Sequence, residues 1–329
     1  MTSEFTPQAA VMEAVFSFFR ARTMQVFAEL GVADAIAAGR ETGLQPRFLA
    51  ACAAIGLLRP RGDGGYALTP LGEALRSDVP GSMRAFAAAI MGGGHYRAWG
   101  MLADTARTGE CAFSRFYGED VWEYFTKTNP AEGRLFNEAM AASSAVIVHA
   151  VLERYAFPET GTIVDVAGGN GSMLASVLEA RPGARGILMD LGFTQRQAET
   201  HLAERGVADR CAFVAGNFFE SVPAGGDVYT MKWILHDWPD DRAGEILASV
   251  HAAMPAHGKL VLVEAVVPEE GDAEFGRLMD LNMMVMCGGK ERTETEWREL
   301  LGANGFRLTR IVPTPSPVFV IEAEKVERL

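Results

Sequence analysis

The chain has 329 residues, of which 49% are hydrophobic and 22% charged, a composition typical of a soluble globular protein with one large domain or two ordinary ones. Its formal net charge of −12 argues against nucleic acid and anionic membranes as partners. We see no apolar stretch long enough to span a bilayer and no basic segment ahead of the first apolar residues, so we expect no signal peptide and a cytoplasmic protein.

The first ninety residues predict helices followed by a winged-helix pattern. Residues 8–38 carry apolar side chains at helical spacing on more than one face, so these helices should pack against something outside their own domain. A further helix precedes a short strand at 57–59, a Gly-rich turn at 62–65 and a strand at 66–69. Such a region either binds DNA or serves dimerisation. The acidity of the chain favours a homodimer formed through residues 1–90.

The pattern is helical from 82 to 155, and a turn at 157–161 marks a domain boundary. Beyond it, strongly apolar strands alternate with helices, which predicts an α/β fold with a parallel sheet covered on both faces. The chain ends in two β-rich runs separated by a Pro-rich turn. This terminal hairpin should add one antiparallel strand. The strands in chain order are TIVDVAG, RGILMDL, CAFVAGN, DVYTMKWI and KLVLVEAV.

A glycine-rich segment, DVAGGNG, joins the first of these strands to its helix. Glycines at this point let the backbone approach a ligand that lies across the ends of the strands. The spacing does not match the dinucleotide fingerprint G-x-G-x-x-G, because the third glycine position counted from Gly169 is Leu174. The alternative is a simple turn. The residues of interest are Asp165, Gly168, Gly169 and Gly171.

Two polar residues stand at the ends of the next strands. Asp190 can bind the two hydroxyls of a ribose, and Asn217, beside Phe218, can bind an adenine edge; the alternative is that both simply cap their strands. Nothing in this set is built to hold phosphate. The pattern therefore favours an adenosine without phosphates, S-adenosylmethionine, over a nicotinamide dinucleotide.

The segment MKWILHDWPDD, residues 231–241, ends an apolar run on His236 and Asp237. Three interpretations compete: a metal half-site, a proton-transfer device, or the start of a helix. Asp237 ahead of Pro239 is typical of a helix start, and we prefer this role to metal binding. The six histidines show no H-x₃-H spacing, so we expect no metal. The four cysteines form no C-x-x-C pair and are expected to be buried free thiols.

Several longer motifs carry a resemblance over nearly the whole chain: ELGVADAI, TGECAF, WEYF, FNEAM, DVAGGNG, GNFFESVP, KWILHDW and DLNMMVMCGGKERTETEW. The sequence resembles the plant-type, cation-independent O-methyltransferases, a group that includes caffeic acid and hydroxyindole O-methyltransferases and bacterial enzymes that tailor aromatic natural products. It departs from the family pattern at Ala167, at Asn217, at Gly192 and in a shorter segment at 39–49.

The resemblance implies a Rossmann-like class I methyltransferase sheet, parallel with one antiparallel strand, and an N-terminal helical, winged-helix dimerisation domain. It divides the chain into a dimerisation region at 1–90, a helical region at 91–156 that contributes to the acceptor pocket, and a catalytic domain at 157–329.

The resemblance also implies site residues. His236 is the expected general base, with Glu264 and Glu291 near its imidazole, and Thr293 and Glu296 should form a capping box behind Glu291. The expected cofactor pocket consists of Asp165, Gly168, Gly169, Gly171, Asp190, Leu191, Asn217, Phe218, Lys232 and Trp233. The expected acceptor pocket consists of Phe136, Met140, Asp237, Met279, Asn282 and Met283.

We therefore expect a homodimeric, metal-free O-methyltransferase that uses S-adenosylmethionine, releases S-adenosylhomocysteine and acts on an aromatic or polyketide-like small molecule. The alternative is a family member that methylates carbon or nitrogen, or that uses the cofactor without methylating. A winged-helix DNA-binding regulator is disfavoured by charge, and a nicotinamide oxidoreductase by the glycine spacing.

Overall fold

The computed structural model describes residues 6–271 and 273–327, apart from the side chain of residue 145. The chain divides into two compact units. The first contains the residues up to 97 together with 124–143, and the second contains 98–123 and 144–329. The region expected at 91–156 is therefore shared between the units, because its helical segments pack on different cores.

The first unit is mostly helical with one small hairpin. Its buried core includes Phe27, Val32, Cys52 and Leu57. The hairpin pairs β1 (Leu58–Pro60) with β2 (Tyr66–Leu68) in antiparallel register, so the two predicted strands are confirmed. The segment predicted to be helical over 8–38 is broken at Gly31, whose φ is +62°. The elements that begin in this unit are α1 Pro7–Glu29, α2 Val32–Ala37, α3 Pro46–Ala54, β1 Leu58–Pro60, β2 Tyr66–Leu68, α4 Pro70–Glu73, α5 Arg84–Ile90, α6 Gly93–Trp99, a π-helical turn Tyr124–Thr128 and α10 Pro130–Arg154.

The second unit is an α/β domain with a seven-stranded sheet, made of β3 Thr160–Val166, β4 Gly183–Asp190, β5 Cys211–Ala215, β6 Val228–Lys232, β7 Lys259–Glu264, β10 Phe306–Pro313 and β11 Phe319–Lys325. Their order across the sheet is β10-β11-β7-β6-β3-β4-β5. Strands β3 to β7 pair in parallel, whereas β11 pairs antiparallel with both β7 and β10, so the predicted terminal hairpin is confirmed. Two further strands, β8 Val266–Val267 and β9 Arg292–Thr293, pair in parallel as a separate two-stranded sheet. The helices of this unit are α7 Leu102–Thr108, α8 Ala112–Tyr117, α9 Val121–Glu123, α11 Ser172–Ala180, α12 Gln195–Glu204, α13 Asp240–Ala253, α14 Glu274–Met286 and α15 Glu294–Ala303.

Both faces of this sheet are covered by apolar side chains. Alternate residues of β3 point to opposite faces, so Ile163 belongs to one buried cluster and Val164 to the other. The carboxyl ends of these strands form the edge at which the candidate site lies.

Helix α10 corrects the expectation that no segment could span a bilayer. By length and composition alone it is long and apolar enough to do so. The core helix of a soluble protein meets the same criterion. The last turns of α10 are of that kind, because Ile147, Val148 and Val151 are buried in one of the two clusters on the sheet. The cysteine prediction is also corrected in part. All four thiols are free, but only Cys52 is fully buried.

Candidate active site

The glycine-rich segment after β3 forms a tight loop beside the loop that follows β4. Ala167 and Gly169 both have left-handed φ angles, +57° and +60°. Gly168 is required for close approach, because a Cβ there would lie 2.4 Å from the carboxylate oxygen Oδ2 of Asp165. The same oxygen is buried and accepts no hydrogen bond from any residue that the structure describes. Burial raises the pKa of Asp165 to about 7, against the opposing effect of Lys232.

Asp190 lies at the end of the neighbouring strand and is held by main-chain donors. Its Oδ2 accepts from the N–H of Gly169 at 2.7 Å, and its Oδ1 accepts from the N–H of Leu191 at 2.7 Å. The carboxylate thus ties the glycine loop to the loop after β4. Gly169 has nothing within 4 Å where a side chain would stand, so the face of this loop is open to a ligand.

Asn217 makes hydrogen bonds within its own turn, and its contact with an adenine edge stays a prediction. Its Oδ1 accepts from the N–H of Phe219 at 3.0 Å, and its Nδ2 donates to Glu220 at 3.3 Å. The amide therefore shapes its own turn. The ring of Phe218 packs edge-on against Phe219 and Trp238, and Leu191 is exposed.

Lys232 and Trp233 connect β6 to the turn that carries His236. Trp233 has φ +55°, a conformation that costs about 1–3 kcal/mol for a bulky side chain and often marks a functional site. Its ring stacks on the imidazole of His236 at 6.2 Å. The ammonium of Lys232 lies 5.3 Å from the centre of the Trp233 ring.

His236 follows β6 and is 5% exposed. Its Nδ1 lies 2.7 Å from Oε1 of Glu291 and 3.8 Å from Oε2 of Glu264. Its Nε2 lies 3.5 Å from Oδ1 of Asp237. Burial alone would lower the pKa of His236, but Glu291, Glu264 and Asp237 together outweigh it and raise the pKa to about 10.

The two glutamates hold the histidine in different ways. Glu291 is the direct hydrogen-bond partner of the imidazole. Glu264 uses its Oε1 to accept from the N–H groups of Ile234 and Leu235, at 3.1 and 3.0 Å, so it mainly fixes the turn that carries His236. Each glutamate leaves its other oxygen buried without a hydrogen-bond partner among the described residues.

Asp237 does not belong to the following helix, which corrects the helix-start interpretation. It ends a 3₁₀ turn at Leu235–Asp237, whereas α13 begins at Asp240 with Pro239 as its N-cap. The Asp237 side chain instead faces Nε2 of His236 and the thiol of Cys287, 3.8 Å away. Burial raises the pKa of Asp237 to about 6.

The segment before α15 contains contacts that the sequence did not reveal. The N–H of Lys290 donates to the carbonyl of His236 at 2.9 Å, and the N–H of Glu291 donates to Asp280 at 2.9 Å. Gly289 lies so close that a Cβ would be 2.0 Å from the carbonyl oxygen of His236. Arg292 is fully buried and also contacts this turn. The predicted capping box of Thr293 and Glu296 is confirmed.

The residues expected in the acceptor pocket are divided between the two units. Met279, Asn282 and Met283 lie along α14 in the second unit, where Oδ1 of Asn282 accepts from the indole N–H of Trp99 at 2.9 Å. Phe136 and Met140 lie on α10 in the first unit. Their membership of one pocket stays a prediction.

The three residues His236, Glu264 and Glu291 could also hold a metal ion by geometry alone. Their ligand atoms all lie within 4.8 Å of one another. A metal on Nδ1 would replace the short contact between His236 and Glu291, so the same atoms serve either a metal or a proton-transfer pair.

Comparison with known proteins identifies relatives over nearly the whole chain. Residues 99–307 match the O-methyltransferase domain family. The chain is 39% identical over 328 residues to the phenazine O-methyltransferase PhzM of Lysobacter antibioticus, covering 96% of each protein.

Two solved structures show the range of acceptors among such relatives. The O-methyltransferase NcsB1 from neocarzinostatin biosynthesis, in complex with S-adenosylmethionine and 2-hydroxy-5-methyl naphthoic acid, matches with a TM-score of 0.78 and 30% identity over 93% of this chain and 96% of that one. The N,N-8-amino-8-demethyl-D-riboflavin dimethyltransferase RosA of Streptomyces davawensis matches with a TM-score of 0.84 and 27% identity over 98% of this chain and 100% of that one.

Proposed function

The chain belongs to the O-methyltransferase family and is an S-adenosylmethionine-dependent enzyme, and we propose that it methylates a hydroxyl group of an aromatic or polyketide-like small molecule with His236 as the general base. The observation that carries this proposal is the buried contact of 2.7 Å between Nδ1 of His236 and Glu291 at the carboxyl end of β6. It leaves Nε2 as the nitrogen that can take a proton from an acceptor.

The charges of the site suit the cofactor. Lys232 interacts with Asp165, Glu264 and Asp237, and His236 interacts with Glu291, Glu264 and Asp237, so acidic side chains outnumber basic ones here. S-adenosylmethionine brings a sulfonium and an ammonium group against a single carboxylate. We propose that Asp190 holds the ribose hydroxyls, since its oxygens stand beside the open face of Gly169. Asp165, with its unpartnered Oδ2, and Lys232 are proposed to face the amino-acid end of the cofactor. When bound, the cofactor supplies an electrophilic methyl group.

The protein then has to orient the acceptor and remove its proton. Glu291 fixes the orientation of the imidazole and stabilises its protonated form, while Glu264 holds the main chain of the turn. We propose that Asp237, which faces Nε2, and Asn282 on α14 supply polar contacts to the acceptor. The remaining acceptor contacts are proposed for Phe136, Met140, Met279 and Met283.

The RosA relative favours one competing acceptor, an amine. The two possibilities differ in their need for a base. A neutral amine attacks without losing its proton first, whereas a phenol is a weak nucleophile until its proton is removed. The contribution of His236 should therefore be large for a hydroxyl acceptor and small for an amine.

A matched pair of acceptors tests the function. Hydroxy- and amino-substituted forms of the same naphthoate or phenazine are incubated with the protein and methyl-labelled cofactor. The masses of the products are then measured by mass spectrometry. We expect methylation of the hydroxyl. His236→Ala should lower turnover roughly 10²–10⁴-fold, the usual contribution of general-base catalysis.

Two controls accompany this measurement. The exposed His257, substituted by alanine, should retain wild-type turnover, and exhaustive EDTA treatment of the wild type should change nothing. Full activity of His236→Ala on the hydroxyl acceptor, or loss of wild-type activity in EDTA, would show that the proton-transfer proposal is wrong. In the second case the cluster of His236, Glu264 and Glu291 would be a metal site.

A further inference from the structure

Arg292 donates hydrogen bonds to the main chain on both sides of the proposed base. Its side chain is fully buried. Nη1 donates to the carbonyl of Leu235 at 2.9 Å, and Nη2 donates to the carbonyl of Trp238 at 2.9 Å. These two carbonyls belong to the residues directly before and directly after the pair His236–Asp237. The guanidinium therefore spans the turn that presents the imidazole.

The remaining donors of this guanidinium are also used. Nε donates to Oδ1 of Asp240 at 2.9 Å, Nη2 lies 2.8 Å from the same oxygen, and Nη1 has a longer contact of 3.4 Å to the carbonyl of Lys290. The ring of Trp297 lies 5.2 Å away. A buried charge is costly unless it is paired and hydrogen-bonded. Four hydrogen bonds and an ion pair from one planar group are a combination that suits arginine and not lysine.

The residues next to Arg292 hold the same turn from other directions. Side chains of an extended segment point alternately to opposite sides, so Glu291 meets the imidazole while Arg292 meets the main chain behind it. The N–H of Lys290 adds a bond to the carbonyl of His236. Three consecutive residues thus fix the position of one side chain.

We propose that Arg292 is a positioning residue for the transfer reaction, which fixes the main chain around His236 so that its imidazole meets Glu291. This inference rests on the proposed role of His236 as base. It assigns to Arg292 no contact with acceptor or cofactor.

Arg292→Lys provides the test, because lysine keeps the charge but offers three donors from one point and cannot span both carbonyls. We expect turnover to fall roughly 10–100-fold, since a displacement of about 1 Å can cost 10²-fold. The KM for S-adenosylmethionine should be unchanged, because Arg292 contacts none of the residues proposed to bind it.

The pH profile supplies a readout that a loss of stability would not move. The groups that face the imidazole are Glu291, Glu264 and Asp237, and they raise the pKa of His236 against the effect of burial. A looser contact with Glu291 should lower this pKa. Because the base works only when deprotonated, the acid limb of kcat/KM should move to lower pH in Arg292→Lys.

Arg210→Lys is the matched control. Arg210 also donates to three main-chain carbonyls, those of Leu178, Arg181 and Ala184, but these lie around α11 and β4. It should retain the wild-type pH profile even if its thermal midpoint falls. If Arg292→Lys fails to fold, Asp240→Asn replaces it, because Asp240 is 57% exposed and its charge anchors the guanidinium. A smaller change in the same direction is expected.

The outcomes separate this inference from the proposed function. Wild-type turnover in His236→Ala would overturn the function itself. A second outcome would overturn only the role of Arg292. In that outcome His236→Ala is inactive, but folded Arg292→Lys keeps the wild-type turnover and pH profile. Asp240→Asn is judged in the same way where it replaces Arg292→Lys. A fall in turnover with the shifted acid limb, absent from Arg210→Lys, supports the role.

Discussion

His236 has a high affinity for protons, because three carboxylates face it and raise its pKa to about 10 against the effect of burial. A base in this state would be protonated at neutral pH and could not act. A second positive charge in the same buried site removes this difficulty, because like charges disfavour each other and lower the pKa of the imidazole. The sulfonium of the methyl donor brings such a charge. We therefore expect the methyl donor and the proposed base to be coupled electrostatically.

Two ligands that differ by one methyl group and one charge test this coupling. We expect the pKa of His236 to be lower with S-adenosylmethionine bound than with S-adenosylhomocysteine, whose sulfur is neutral. The measurement is a pH titration of the imidazole ¹⁵N signals without acceptor, with the His236 signal assigned by its loss in His236→Ala. An identical pKa with both ligands would contradict the coupling and weaken the assignment of His236 as base.

Asp190 carries the second prediction at the scale of a residue. Asp190→Ala removes the proposed acceptor of the ribose hydroxyls and should weaken binding of S-adenosylhomocysteine by about 1.5–3 kcal/mol, the range for hydrogen bonds to a charged group. Calorimetry measures the change. Asp190→Asn keeps one acceptor oxygen and should lose less, and the exposed Asp241→Ala should lose nothing. Unchanged affinity in Asp190→Ala would remove this residue from the site.

At the scale of elements, the sequence predicts well what depends on local patterns. The strands from β3 to β7 follow from apolar runs between helices, and the capping box at Thr293 follows from a spacing of three residues. The assignment of Asp237 failed for a physical reason. Trp238, whose backbone is extended, and Pro239, the N-cap, separate Asp237 from α13. The carboxylate of Asp237 points toward His236 and not toward the helix.

Contacts between distant segments were not predictable from the residues alone. Arg292 and Leu235 are 57 positions apart, and no local pattern shows that a guanidinium will find two carbonyls there. Resemblance to a family placed Glu264 and Glu291 near the histidine, but it did not distinguish the partner of the imidazole from the support of the turn. That distinction follows from distances of 2.7 and 3.8 Å to Nδ1.

At the scale of the whole molecule, the first four turns of α1 are exposed to solvent. Every residue from 6 to 20 is exposed, although the segment carries six large apolar side chains. Single exposed apolar residues are ordinary, but such a cluster is typical of an interaction surface. We propose that a second copy of the chain covers it, because a symmetric dimer lets one surface bury itself. The six residues are Val11, Met12, Val15, Phe16, Phe18 and Phe19.

Light scattering tests this dimer. The wild type should have twice the chain mass of 35.5 kDa at micromolar concentration. Burying each large apolar side chain contributes about 1.5–3 kcal/mol, and a buried carboxylate without a partner costs more than that gain. The double substitution Val15→Glu and Phe19→Glu should therefore yield monomers, whereas Phe193→Glu, at a residue that is 61% exposed in the other unit, should leave the mass unchanged. A wild-type mass of 35.5 kDa would contradict the dimer, and the apolar face of α1 would then need another partner.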